Sequence, residues 1–491
     1  MARKSKHKVA TTMLQPQARY DAAGNGRRMR GWMAPSTGPN RAVAGIQNIR
    51  NRSRDVTRND WSGESSIQKW TTNLIGIGIV PRFKRIQNKQ RKQELTDLWQ
   101  QFVAQSDADG ILNFYGQQTL AVRAWLESGE VFVRRRPRRP DMELAVPLQI
   151  QLIEAEFVPM LDADSWPGLL PGNRIRSGIE LSVSGRRLAY WMYKSHPGDG
   201  AMGATIDASM LIRVPADQVK HVFEPKRPGQ LRGISAMASV LARLRNIGDY
   251  DDAVLERQKL SNLFVGFISR SLPEGLDPDV DPLTGRPIEG TISSPLAGLQ
   301  PGMMQELDPG ENINWSNPPE AGTTYSDYMR TQHMGTAAAS GIPYEIFSGD
   351  IKEVSDRTLR VLINEFRRLA EQRQWQIVIP MLCQPVIEWW AEAAVLAGKI
   401  SSNEILDVIR VEHAPHGWQH IHPVQDPQGK KLEVDAGFRS RSSVIGERGD
   451  DPDHVDDERQ WDMQREQALG LHASQLTAQT AKKPDDKKEQ K

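Results

Sequence analysis

The chain of 491 residues contains a single cysteine, Cys383, so no disulfide can form within it. Together with the absence of any other thiol, this predicts synthesis in a reducing compartment. No apolar run approaches the roughly 18 residues that a membrane span needs. The charged start MARKSKHKVATT has no apolar stretch behind it and does not read as a secretory signal. A soluble protein with no membrane partner is expected. Net charge is nearly missing too, since 63 Lys and Arg against 61 Asp and Glu leave +2. A protein that grips nucleic acid along many phosphates usually carries a larger basic excess. Signatures of catalysis are also absent. The sequence has no G-x-x-x-x-G-K-[S/T] phosphate loop, no G-x-S-x-G elbow and no H-E-x-x-H pair. Neither enzymatic activity nor a cofactor is expected.

What is present points to a large α+β protein. The length exceeds one compact core and predicts several domains or an elongated subunit. Thirteen Trp against eight Tyr is an unusual ratio, which supplies large apolar anchors for cores and interfaces. Charge is uneven: residues 1–60 hold thirteen bases and three acids, and residues 447–466 hold nine acids and three bases. The start reads as a loosely ordered basic arm, and the two ends could pair between subunits or be solvated separately. SSIQKWTTNLIG (65–76) and QELTDLWQQFVAQ (93–105) carry the helical period, and a further helix ends at Gly129. Strands dominate from there to about residue 224. EVFVRRR leads through a Pro/Arg turn to PLQIQLIEAEFV, and SGIELSV joins RRLAYWMY across Ser184 and Gly185. A long helix is expected from Ser235 to about Lys259, roughly 37 Å of strut. SLPEGLDPDVDPLTGRPIEGTISSPLAGLQPG (271–302) reads as an insertion, and MMQELDPGENINWS as two strands around Asp308–Gly310. After a helix near 325–340, a helical region from Ser355 to about Ala397 should kink at Pro380 and Pro385. The polar end from about 470 reads as disordered.

Three stretches could carry chemistry. GQLRGISAMASVLARL (229–244) has Gly229, Arg232, Gly233 and Ser235 before an apolar helical run, but lacks the lysine and the spacing of a phosphate loop. Capping explains the same residues: Gly233 frees a turn and Ser235 caps the strut. His413, His416, His420 and His422 are dense enough to suggest a metal site, and hence a metal-dependent hydrolase as an alternative. Pro415, Gly417 and Pro423 break any helix that would align them. Arg134, Arg135, Arg136, Arg138 and Arg139 crowd one hairpin tip, a candidate contact for DNA or an acidic partner. Strand alternation prevents all five from facing one ligand unless the turn gathers them. With the basic arm they support a second alternative, a plain nucleic-acid binder. No metal ligand set is assigned.

RNRSRDVTRND (50–60), NLIGIGIVP (73–81), ESGEVFVR (127–134), SGIEL with GRRLAYW (177–191), VKHVFEPKRPGQLRGIS (219–235), LDPGENINW (307–315), SGIPYEIFSGD (340–350) and GFRSRSSVIGERGDDPDHVDDE (437–458) appear in series. In that order they resemble the lambda-type portal proteins of tailed bacteriophages. EVSDRTLR (353–360) departs from the Tyr-Ser-Ser type sequence of many members and suggests a subgroup. The resemblance implies a self-assembled ring, typically of twelve subunits, at one capsid vertex of the virion. Double-stranded DNA passes through it, and a terminase large subunit supplies the ATPase. Head-tail joining proteins and the major capsid or scaffolding protein are the other implied partners. After a basic arm (1–60), it places an α/β wing at 61–234, and a stem helix with a clip-like insertion at 235–315. A tunnel loop and crown-ward helix fall at 316–400, a C-terminal region at 401–469 and a tail at 470–491. Asn317, Pro318, Pro319, Glu320, Ala321 and Gly322 are the implied tunnel loop.

Overall fold

A computed structural model describes residues 36–199, 206–261, 266–270, 311–315, 325–418 and 422–470, save positions 42, 44 and 353, with 283 and 286 as isolated positions. The expected tunnel loop, nearly all of the 271–302 insertion, His420 and residues 471–491 lie outside the described residues.

The basic arm ends sooner than its composition suggests. Residues Ile46–Asn59 form helix α1, with Ile46, Arg50, Ser53 and Thr57 buried along one face. One core-facing residue per turn is enough to dock a helix whose other faces are charged. Asp60 then accepts from the Ser62 amide and starts α2 (Trp61–Ile75). Strand β1 (Val80–Arg82), α3 (Lys89–Gln105) and α4 (Phe114–Ser128) follow. Side-chain caps start both helices, Asn88 on the Arg91 amide and Asn113 on the Gly116 amide.

Two antiparallel sheets come next. In the first, β2 (Glu130–Pro137) is central, between β3 (Leu148–Glu154) and, after the second sheet, β8 (Val219–Phe223). The second runs in sequence order through β4 (Arg174–Arg176), β5 (Ile179–Leu181), β6 (Arg187–Tyr193) and β7 (Leu211–Pro215). Both expected hairpins form, and Gly185 takes the left-handed conformation (φ 82°) in the second.

The strut starts later than expected. Helix α5 spans Leu241–Ser261, 21 residues or about 31 Å, and residues 236–240 form turns. Only its first two turns are apolar and buried, through Leu241, Leu244 and Ile247, whereas Tyr250 and Leu255 are exposed. Strands β9 (Gly266–Arg270) and β10 (Glu311–Trp315) pair antiparallel. The described partner of 311–315 is the segment just after α5; the strand expected ahead of Asp308 lies outside the described residues.

Helices α6 (Tyr325–Ser340), α7 (Tyr344–Ser348) and α8 (Asp356–Arg373) lead into a π-helical segment, Gln374–Cys383, and α9 (Gln384–Leu396). The expected interruption at Pro380 is thus a widened helix. A proline cannot donate to a helical carbonyl, and π geometry absorbs the misfit without ending the rod. Then α10 (Ile405–Ile409) precedes β11 (Glu412–Ala414), which returns to pair with β1. Helices α11 (Gln425–Asp435), α12 (Arg441–Glu447) and α13 (Pro452–Ala468) complete the described chain.

The main core joins α2, α3, α4, the first sheet, α5 and the π–α9 rod. Aromatics dominate its centre: Trp99 meets Trp390 edge to face at 5.3 Å and Phe114 at 5.6 Å. Cys383 lies in this core, where burial pushes its thiol up and leaves it protonated.

Candidate functional site: a buried joint

The stretch from Gly229 to Ser235 connects the sheets to α5, and its charge is neutralised from within. Gly129 (φ 93°) ends α4 in the left-handed conformation, donating to the Trp125 carbonyl, and β2 begins at once. That abrupt change carries Glu130 into the interior, fully buried. Four groups from three segments converge on its carboxylate. Arg50 of α1 pairs with Oε1, and Arg232 reaches the same oxygen at 2.6 Å. His221 of β8 donates from Nε2 to Oε2 at 2.8 Å, and the Gly233 amide donates to Oε2 at 2.7 Å.

The remaining donors are satisfied as well. Arg50 Nε reaches the Ser128 carbonyl at 3.1 Å. Arg232 donates to the Ser177 carbonyl at 2.8 Å and the Ala155 carbonyl at 3.0 Å. The ionised carboxylate only accepts, so His221 carries its proton on Nε2, and its Nδ1 accepts from Arg187 at 2.9 Å. Its ring stacks between Phe132 and Phe223 at 4.4 and 4.3 Å. Burial would raise the Glu130 carboxyl, but Arg232 and then Arg50 hold it well below the usual range. Burial pushes His221 down to about 4, against the Glu130 hydrogen bond, and keeps it neutral.

Steric fit matches the charge. A Cβ on Gly233 would meet the Gly129 carbonyl oxygen at 2.0 Å, and one on Gly129 would meet the Ser235 amide at 2.5 Å. Gly233 is required for backbone approach, not to free a turn; the left-handed residue is Gly229 (φ 78°). Ser235 does not cap the long helix either, which begins six residues later. Its Oγ accepts from the Met237 amide at 3.0 Å and meets Ser53 Oγ of α1 at 2.9 Å. Fully buried and spent on Glu130, Arg232 offers nothing to an external phosphate. The arrangement locks α1, β2, β8 and the approach to α5 into one unit.

The five arginines separate. Arg134 and Arg136 alternate with Arg135 along β2. Arg136 and Arg138 donate to Gln151 and Gln149, both at 2.8 Å, whereas Arg135 turns to Glu392 of α9 at 2.9 Å. Burial and the neighbouring Arg136 charge lower the Arg134 guanidinium, and burial and Arg138 lower Arg136. Arg134, Arg136 and Arg138 therefore form a ladder of weakly compensated charge, with Arg139 exposed beyond it.

The three described histidines of the cluster do not gather. His413 is buried with Nε2 at 3.0 Å from Gln384, and burial takes it to about 4. His416 packs on Gly76, and His422 Nδ1 accepts from the Gln425 amide at 2.9 Å. Among the described residues, the His and carboxylate ligand atoms that do converge belong to Glu154, Glu156 and His196, all within 4.8 Å. Arg54 already occupies that group, at 2.9 Å from both oxygens of Glu156. A guanidinium supplies the charge that a cation would bring.

No sequence motif marks Glu130, Arg50 and His221 as partners. The available signal was an acid directly after a helix-ending glycine, at the head of the apolar strand EVFV.

A family described as phage portal protein, lambda family, matches residues 25–374. The chain is similar to a probable portal protein of Halomonas phage phiHAP-1, 25% identical over 455 residues that cover 90% of this chain and 85% of that one. It is also similar to portal protein B of Escherichia phage lambda, 20% identical over 501 residues covering 94% and 92%. A distant structural likeness, with a TM-score of 0.45 and 14% identity, is to the neck of a native GTA particle computed with C12 symmetry; it covers 82% of this chain and 94% of that chain. The family match runs from before α1 through both sheets, the joint and α8, more than half of the chain, and the protein belongs to the lambda family of phage portal proteins.

Proposed function

We propose that the protein is the structural subunit of a closed ring at one capsid vertex of a virion, the channel through which phage DNA enters and leaves. The observation that carries this reading is the family match over residues 25–374. Composition supports it. In a ring each exposed charge becomes a belt around the DNA, and a strongly basic belt would hold phosphates and stall passage. A net charge of +2 suits a conduit that must not capture its cargo. The joint supports it too, because a subunit that transmits load needs its helices tied to its sheets. Under this reading a terminase large subunit supplies the energy, and head-tail joining proteins and the major capsid or scaffolding protein dock on the ring. The Arg134–Arg136–Arg138 ladder is a contact for DNA or an acidic partner surface.

Electron microscopy of the purified protein should show closed rings; a stable monomer at micromolar concentration would reject the proposal. Glu320 is assigned to a tunnel loop that repels the DNA backbone. Glu320→Lys replaces that repulsion with attraction for a few phosphates and should slow or abort packaging by at least about ten-fold, with ring assembly intact. Normal packaging by that variant would sink the loop assignment.

A further inference from the structure

Helix α13 (Pro452–Ala468) lacks what usually holds a helix in place. Its polar and charged residues leave no apolar stripe, and Pro452 is its one buried residue. A helix that is polar all round needs charge partners to stay docked. It has them: Lys92 of α3 lies 2.6 Å from Asp453 and 3.5 Å from Asp451, and Lys89 lies 2.6 Å from Asp457. Arg441 of α12 adds a pair with Asp456 at 2.5 Å. The two lysines stand in the first turn of α3, which contains no acid. The positive end of a helix dipole disfavours cations there. Alone, α3 loses by carrying them; they become favourable only against an acidic surface.

The other end of this contact is steric. Between α12 and α13, Gly449 (φ 89°) lies backbone to backbone with Gly417, its amide neighbour at 3.2 Å from the position a Gly449 Cβ would take. A Cβ on Gly417 would meet Arg448 Cα at 2.3 Å. Arg82 donates to the Gly449 carbonyl. A shape-locked point thus precedes a segment held by Pro452 at its start and otherwise mainly by charge pairs. Beside it lies an open polar groove of about 1020 Å³ between α8 and the α11–α12 region, lined by Arg367, Trp375, His416, Lys430 and Glu447 among others.

We propose that α13 is a releasable lever, latched on the first turn of α3 by Lys89 and Lys92 and pivoting at Gly449. Raised ionic strength opens the latch while the core stays folded, because exposed pairs are screened within about 10 Å at 0.1 M salt and buried ones are not. This inference does not depend on the proposed channel role.

Hydrogen–deuterium exchange of the full chain, read separately over 452–468 and over the core strands, tests it. In the unaltered protein, exchange of α13 should rise several-fold between 0.05 and 0.5 M salt with the β2 and β3 amides unchanged. Lys89→Glu with Lys92→Glu should raise α13 exchange about ten-fold at low salt and abolish its salt dependence. Adding Asp453→Lys and Asp457→Lys to that variant should restore protection. Protection of α13 that ignores both salt and charge reversal would overturn the proposal, as would a reversal that the compensating pair fails to rescue. The milder Asp457→Asn, which keeps the helix sequence nearly intact, should raise exchange in the same direction; no rise would also count against the latch.

Discussion

The joint and the C-terminal lever use the same chemistry, basic side chains on carboxylates, with opposite consequences. At the joint Glu130, Arg50 and Arg232 are at most 1% exposed, and both guanidinium groups donate to backbone carbonyls as well as to the carboxylate. On α13 the carboxylates and one lysine are open to solvent, with Lys89 77% and Asp453 76% exposed, whereas Lys92 is 17% exposed and can still be reached by water. A buried pair is costly to break, because removing one partner strands the other charge in a medium that cannot solvate it. An exposed pair loses little, because water and salt replace the partner. Burial, more than the ion pair itself, decides which contact is permanent and which can open.

The contrast can be broken most sharply at its centre. Glu130→Ala strands two guanidinium groups and should cost about 3–5 kcal/mol, read as loss of folded protein or a large fall in the urea midpoint. A change below about 1 kcal/mol would mean that water reaches the cluster and that the joint is not sealed.

Acid should act first on the buried histidines and only later on Glu130. His221 and His413 are both held near 4 when folded, against an ordinary value of 6.5. Between those values the unfolded chain binds the extra protons, so stability falls as pH is lowered from about 6.5 toward 4. The Glu130 contribution is present above 4.5 and is lost at still lower pH, as pH falls through its depressed folded value. Each histidine contributes about 1.4 kcal/mol per pH unit within the window. Urea midpoints of the protein and of His221→Gln should therefore differ in slope by one proton; equal slopes would reject a neutral buried His221.

A smaller effect should follow at the edge of the joint. Ser235→Ala removes hydrogen bonds to Ser53 and the Met237 amide and should cost about 1–2 kcal/mol. If Ser235 capped α5 instead, the loss would appear as fraying of α5 amides in hydrogen exchange. Smallest of all, Lys92→Ala should change global stability by less than about 1 kcal/mol while loosening α13 locally. A large global loss would erase the distinction between the two regions.

Several elements are legible without any coordinates. The Ser184–Gly185 turn and the EVFVRRR hairpin follow from alternation and turn chemistry, which are local. Trp70, Trp99 and Phe102 are legible as core from the helical period alone. Sequence alone misplaces the start of α5 because Ser235 has the chemistry of a cap, but its hydroxyl is spent on α1, 182 residues away. It also makes the arm too long, because charge count hides a face on which Arg50 itself points inward. The arginine run looks uniform in sequence, and the pleat with Glu392 of α9 divides it. The histidine run looks convergent, and separate partners disperse its described members.

By itself the sequence determined which motifs the chain lacks and several of the elements it forms. It has one thiol, no membrane-length apolar run, no phosphate loop, nearly balanced charge, and periodicities that mark several helices and hairpins though not all of their bounds. These follow from composition and from contacts within a few residues. Only the tertiary structure decided that Glu130 binds Arg50, Arg232 and His221, and that Gly129 and Gly233 meet backbone to backbone. Those partners are 80–103 residues distant. No local rule pairs them; they meet because the packed sheets and helices leave a place where a carboxylate must be neutralised from within.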